Sequence, residues 1–165
     1  MTEEHFKRMT DCIRKRKIMV VILSGLDKMI TAITFLCYPL LLGYLFIEKD
    51  PFLFQAVVVP AASFVIVTLF RKMYNAKRPY EVYDFEPVIQ KNTLGKSFPS
   101  RHVFSIFIIA MTFFQVEPDL GMWFMIAGAM LGVLRVFGGV HFIKDVSVGA
   151  LAGVVAGVIG YYAIF

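Results

Sequence analysis

Charge is what this chain has least of. Asp, Glu, Lys and Arg account for 18% of its 165 residues, where a soluble domain carries roughly 25%. Hydrophobic residues make up 58% and the mean hydropathy is +0.71, which excludes a soluble domain of this size and marks an integral membrane protein. Cysteine is nearly absent. Cys12 falls in a basic segment and Cys37 in an apolar one, so a mutual disulfide is not expected and both thiols read as inert. A secretory leader is missing too: the opening residues mix Glu3, Glu4 and Asp11 with Lys7, Arg8, Arg14, Lys15, Arg16 and Lys17, so this segment is expected to stay on the protein. The net charge of +5 suits an anionic partner. With no soluble module to grip nucleic acid, lipid phosphate is the nearer anion.

What the chain does have is long apolar runs. A spanning helix needs about 20 such residues rising 1.5 Å each. The expected fold is all-α, an integral membrane helical bundle of about five transmembrane helices plus an N-terminal amphipathic helix, forming one membrane-embedded domain over residues 1–165. Residues 1–28 form a basic amphipathic segment, with a partly surface-lying helix over 3–26 and with Asp27 and Lys28 at the bilayer interface. Spans are expected near 29–47, 51–70, 99–115, 120–135 and 141–165, with Pro39 a candidate kink in the first. Gly149, Gly153 and Gly157 recur every fourth residue, as do Gly128 and Gly132, a pattern that lets helices pack closely.

Because successive spans alternate direction, the end of the second, the start of the third, the end of the fourth and the start of the fifth share one face. Three polar clusters meet there: Arg71 to Pro79, Pro99 to His102 and Arg135 to Asp145, which hold every histidine except His5. The other face has only the short connections Glu48-Lys49-Asp50 and Glu117-Pro118-Asp119. Ionisable groups are costly in a membrane and mark functional sites. None is expected near mid-depth, which argues against an ion or proton path.

The clusters have the chemistry of an anion site. Arg71, Arg78 and Arg135 are charged forks suited to phosphate oxygens, with Lys72 and Lys77 beside two of them. A positive-inside girdle is the plainer account of the first cluster alone. Pro99-Ser100-Arg101-His102 reads as a helix start, whose free backbone N–H groups attract an anion and to which Ser100 could add a hydroxyl. His141 and Asp145, four apart, share a helix face, so the carboxylate can orient the imidazole. This pair has the orienter-and-base geometry of an activated nucleophile. Taken singly, either the helix start or the pair has an ordinary structural explanation; their convergence on one face favours the chemical one.

Arg71 seven residues before Arg78-Pro79, then Pro99-Ser100-Arg101-His102, then Arg135 six residues before His141 with Asp145 four further on, resembles the three-motif pattern of the type 2 phosphatidic acid phosphatase (PAP2) superfamily. The likeness covers residues 60–160, the motif-bearing core. It implies a membrane lipid phosphatase that works through a phosphohistidine and uses neither metal nor other cofactor. By the resemblance His141 is the nucleophile, Asp145 its support and His102 the acid that protonates the leaving group. Arg71, Arg78, Ser100, Arg101 and Arg135 would hold the phosphoryl oxygens of a lipid phosphate substrate. The chain departs from the family in having Arg71 where Lys is usual, Arg101 where Gly is usual and Leu134 where Ser or Thr is usual. These changes leave the nucleophile, its carboxylate and the acid in place. They bear on substrate preference, and they leave open whether Arg71 or Lys72 is the phosphate ligand.

A silent headgroup-binding or scaffold protein of the membrane is the alternative reading, separated from an enzyme by phosphate release. The loop around Tyr80, Glu81, Tyr83, Asp84 and Glu86 is a candidate lid over the site. The basic stretch Arg14 to Lys17 points to a cytoplasmic N-terminus, and with it a site at the cytoplasmic face of the cell membrane, whereas an extra traverse within residues 3–28 would turn the site outward. Oligomeric state and the identity of the lipid are not encoded in these motifs.

Overall fold

The computed structural model describes residues 3–83, 85–91 and 93–164. Among them every regular element is helical: α1 (Glu3–Arg14), α2 (Lys17–Ile47), α3 (Phe52–Tyr74), a single turn α4 (Pro79–Val82), α5 (Arg101–Val116), α6 (Pro118–Phe137) and α7 (Ile143–Val158), which widens into a π-helical end, Ile159–Ile164. Helices α2, α3, α6 and the α7 unit are long and apolar enough to cross a bilayer. Helix α5 has sixteen residues, and those from Val103 to Met111 are buried except Phe107. It is the axis of the bundle, packed chiefly on α6 and α7 and also on α2 and α3.

Close packing around that axis depends on the glycine column of α7. A Cβ on Gly149 would lie 2.7 Å from the Ser100 carbonyl oxygen, and one on Gly153 would lie 2.9 Å from that of Phe104. Only a bare α-carbon permits such backbone approach. Gly128 on α6 meets Phe107 and Ile106 in the same way. Large apolar side chains such as Ile22, Phe46, Ile66 and Trp123 point outward and are exposed on the isolated chain, as lipid-facing residues should be, because bilayer hydrocarbon offers them an apolar solvent.

The N-terminal region differs from expectation. The amphipathic helix ends at Arg14, and the break falls at Lys15 and Arg16, where Arg16 is extended (φ −113°, ψ 94°). From Lys17 one helix of 31 residues runs straight through Asp27 and Lys28, with Pro39 inside it. At 1.5 Å per residue it is about 46 Å long, which exceeds a hydrocarbon core of about 30 Å. Its first turns therefore stand beyond the bilayer core on the side where α3 ends and α5 begins. Nothing between residues 24 and 29 breaks a helix, and Asp27 is not left to find water at an interface: it is buried against a cation described below. Helix α1 turns Phe6, Thr10 and Ile13 inward, at the three- and four-residue spacing of an amphipathic helix. Phe6 stacks among Tyr83, Phe85 and Phe142, so α1 is docked on the loops of the polar face.

Candidate active site

The connection from α3 to α5 is long, yet its own polar groups hold it in place. Asn75 ends α3 in a left-handed conformation (φ 43°), a position Asn tolerates better than most residues. The Glu81 carboxylate accepts the backbone N–H groups of Arg78 and Gly95, each at 2.8 Å, tying the two limbs of the loop together. Two arginines then fasten the loop to the bundle. Arg71 donates to the carbonyls of Ser97 (3.1 Å) and Lys96, and Arg78 donates to those of Gly95 and Val140 (both 3.1 Å). Of the residues expected to form a lid, Tyr80 donates to the Thr93 carbonyl, Tyr83 packs on Phe6 and Phe142, and Glu86 pairs with Arg14; Asp84 lies outside the described residues.

The remaining two clusters are bonded directly to each other. The Ser100 N–H at the start of α5 donates to the Asp145 carbonyl in the first turn of α7, at 2.8 Å. The Asp145 carboxylate faces the other way. Its Oδ2 accepts the Phe142 N–H (3.1 Å) and the Ser97 hydroxyl, and lies 3.4 Å from His141 Nδ1. Ser97 Oγ is itself 3.4 Å from that nitrogen. His141, Asp145 and Ser97 are all buried, at 1%, 0% and 0% exposure. With Nδ1 turned to the carboxylate, Nε2 is the ring nitrogen left for an electrophile. Burial is the largest influence on His141 and holds its pKa below the ordinary 6.5; Arg78 and Arg135 act in the same direction and Asp145 opposes them. The imidazole is therefore neutral at neutral pH, as a nucleophile must be.

A cavity of about 380 Å³ opens onto His141. Its wall brings together Arg71, Arg78, Arg101, His102 and His141, with Lys72, Lys91 and Lys96 adding cations; no Asp or Glu is among the described residues that line it. Arg101 is exposed at the rim, its guanidinium 5.5 Å from the centre of the Phe64 ring. Both Arg71 and Lys72 reach this wall, Arg71 buried and Lys72 exposed. An excess of positive charge of this kind favours an anion.

Two expected phosphate ligands do not line the cavity. Ser100 is fully buried and its Oγ has no hydrogen-bond partner among the described residues. The Arg135 Nε lies 2.6 Å from Asp27 Oδ1, and both side chains are about 95% buried. Sequence reasoning had Asp27 at the membrane interface and so missed this pair. It also passed over Ser97, which stands two residues before Pro99, and Lys91, which belongs to no motif.

The pattern of the PAP2 superfamily matches residues 52–165. The chain belongs to that superfamily. Among individual proteins it is similar to the bacitracin transport permease protein BcrC of Bacillus licheniformis, 27% identical over 104 residues, which are 61% of this chain and 51% of that protein. The match thus spans about half the length of that relative. Among solved structures, Aquifex aeolicus LpxE superposes with a TM-score of 0.74 at 24% identity, covering 95% of this chain and 92% of the other. The PAP2-type phosphatidylglycerolphosphate phosphatase of Bacillus subtilis gives 0.71 at 18% identity, over 95% and 83% of the two chains. At those identities the likeness establishes the fold. Asp27 and the whole of α1 and α2 precede the family-matched region.

Proposed function

We propose that this integral membrane protein is a lipid phosphatase that removes a terminal phosphate, or one phosphate of a diphosphate, through a phosphohistidine and without a metal. The observation that carries this reading is the buried His141–Asp145 pair opening onto a cavity walled by arginines. Membership of the PAP2 superfamily supports it, as does the fold shared with a phosphatidylglycerolphosphate phosphatase.

In the first step His141 Nε2 attacks phosphorus in line with the ester bond. The N–P bond forms, the P–O bond to the lipid breaks, and His102 gives its proton to the departing oxygen. In the second step water attacks the phosphohistidine, the N–P bond breaks, and His102, now neutral, takes the water's proton as inorganic phosphate leaves. Arg71 and Arg78 stabilise the charge on the equatorial oxygens. Their hydrogen bonds to backbone carbonyls fix them in place beforehand, so little reorganisation is needed at the transition state. Asp145 keeps the imidazole oriented and favours the charged ring as it forms.

The placement suits a lipid. The cavity is assembled from helix ends, at headgroup level, while the acyl chains of the substrate stay between helices. Helix α1 has twelve residues, too short to span, and packs on the loops of the cavity side, so the basic stretch Arg14 to Lys17 and the cavity share one side. By the positive-inside tendency that side is the cytoplasmic face of the cell membrane. Thiol labelling of exposed Cys12 in intact and opened cells tests this: labelling in intact cells by an impermeant reagent overturns it.

The deciding assay is phosphate release by the purified protein from phosphatidic acid, phosphatidylglycerophosphate and polyprenyl diphosphate, with chelator present and His141→Ala as control. Release from at least one lipid, lost in the variant, is expected. Binding of these lipids with no release from any would make the protein a headgroup-binding scaffold instead.

A further inference from the structure

The third-motif arginine, which the family resemblance makes a phosphate ligand, is already engaged here. Arg135 and Asp27 form an ion pair at 2.6 Å with both side chains about 95% buried, so their charges cancel at close range. That pair lies behind the cavity wall, towards α2 and α6, near enough for Arg135 to act electrostatically on Lys91 and His102 but outside the lining. Lys91 occupies the same region. It lines the cavity together with His102 and His141, and among the described residues no ion pair or hydrogen bond engages its ammonium group.

The segment that delivers Lys91 is well anchored. Val88 and Ile89 donate backbone N–H bonds to the Gly138 carbonyl at 3.0 and 3.2 Å, just past the end of α6. Val88 is buried with Ile13 and Leu23, and Ile89 and Leu134 pack against that cluster. A partly buried lysine that is held in position on the wall of a cavity whose described lining has no carboxylate carries a desolvated charge in need of an anion. We propose that Lys91 is a phosphate-binding residue of this site, supplying on the α2–α6 side the free positive charge that Arg135 has given to Asp27. The inference rests on the phosphatase reading and adds to it a ligand that lies outside the family motifs.

The surroundings of Lys91 give the test a signature. The charged and titratable groups around it are Arg135 on α6, Asp27 on α2, Arg71 on α3, Arg78 at the start of α4 and His102 on α5, with the paired Arg14 and Glu86 across a second, neighbouring pocket. Burial, with Arg135 and Arg78 adding to it, brings the ammonium pKa down to about 8. A phosphate that relies on Lys91 is therefore bound less tightly as pH rises through that value.

The experiment measures inhibition by inorganic phosphate and the KM and kcat for short-chain phosphatidic acid and for p-nitrophenyl phosphate, in wild type, Lys91→Gln and Lys91→Arg. Loss of one charge-assisted contact should raise the inhibition constant and both KM values about tenfold in Lys91→Gln, with kcat changed far less. Lys91→Arg should bind phosphate as wild type does but lack the weakening near pH 8, since a guanidinium stays charged. Vesicles of phosphatidylglycerol, which has no terminal phosphate, should not compete; competition lost in Lys91→Gln would assign the residue to general headgroup attraction and overturn the proposal. So would an unchanged inhibition constant in Lys91→Gln. If Lys91→Gln does not fold, the pH profile of Lys91→Arg decides, a retained limb near pH 8 counting against Lys91. If no lipid is hydrolysed by wild type, the phosphatase reading fails by itself; calorimetric titration of inorganic phosphate into wild type and Lys91→Gln still decides the role of Lys91.

Discussion

In and behind the wall of one cavity, arginine is buried in two opposite ways. On the loop side, Arg71 and Arg78 are held by the carbonyls of Gly95, Lys96, Ser97 and Val140, all of them neutral groups. On the α2–α6 side, Arg135 is held by a carboxylate. Carbonyl oxygens fix a guanidinium while leaving its full charge to act on a ligand, whereas a carboxylate fixes it and cancels that charge. The first arrangement is suited to binding an anion and the second to bracing helices. Under the proposed function, the same residue type in motifs of the same family would serve different ends according to what lies behind it.

The largest effect should come from the chemistry common to both sides. His141→Ala is expected to lower kcat by more than about 10³-fold, and His102→Ala by about 10² to 10⁴, in a phosphate-release assay; variants that keep most of their turnover would remove either residue from the mechanism. On the loop side, Arg78→Lys keeps a charge but loses the fork and its two carbonyl contacts. A fall of about a hundredfold in kcat/KM is expected.

On the α2–α6 side the readout is stability. Asp27→Asn leaves Arg135 charged, buried and unpaired, at a cost of roughly 3–5 kcal/mol, which thermal denaturation in detergent should register. Asp27→Leu combined with Arg135→Met should recover most of it. A double variant no better than the single would show that the loss does not come from an unpaired Arg135.

Smaller effects sharpen the picture at the dyad. Ser97→Ala removes a donor to Asp145 and should lower kcat about tenfold, while leaving phosphate inhibition unchanged. Because burial holds His141 below its ordinary pKa of 6.5, the acid limb of kcat/KM should lie below pH 6.5. The imidazole must be neutral to attack, so a lowered pKa extends activity towards acid. An acid limb above that value would mean that Asp145 outweighs burial. Lys144→Ala should change least, since Lys144 lies over the Phe142 ring, away from the cavity.

How much of this was legible in the sequence depended on whether the partner was near in the chain. Apolar runs, a proline in front of a helix and a four-residue spacing are local signals, and they located α3, α5, α6, α7, the shared face and the His141–Asp145 pair. Close packing at Gly149 and Gly153 was legible for the same reason. Asp27 was misplaced because a lone acid in an apolar run reads as an interface marker until its distant partner Arg135 is known. Ser97 and Lys91 carry no periodic signal; their roles come from a loop whose path is set by hydrogen bonds to α6 and to the His141 turn. The extent of α1 was overestimated because the basic run Arg14 to Lys17 contains a break that composition does not mark.

The contact between Gly149 and the Ser100 carbonyl reaches further than packing. It sets the vertical register of α7 along α5; His102 stands in the first turn of α5, and His141 in the turn that leads into α7. A single methyl group added at Gly149 would act as a wedge, sliding donor and acceptor out of alignment without touching either. Beside the N-terminus of α5, then, a missing side chain would keep in alignment the two imidazoles on which the proposed reaction depends.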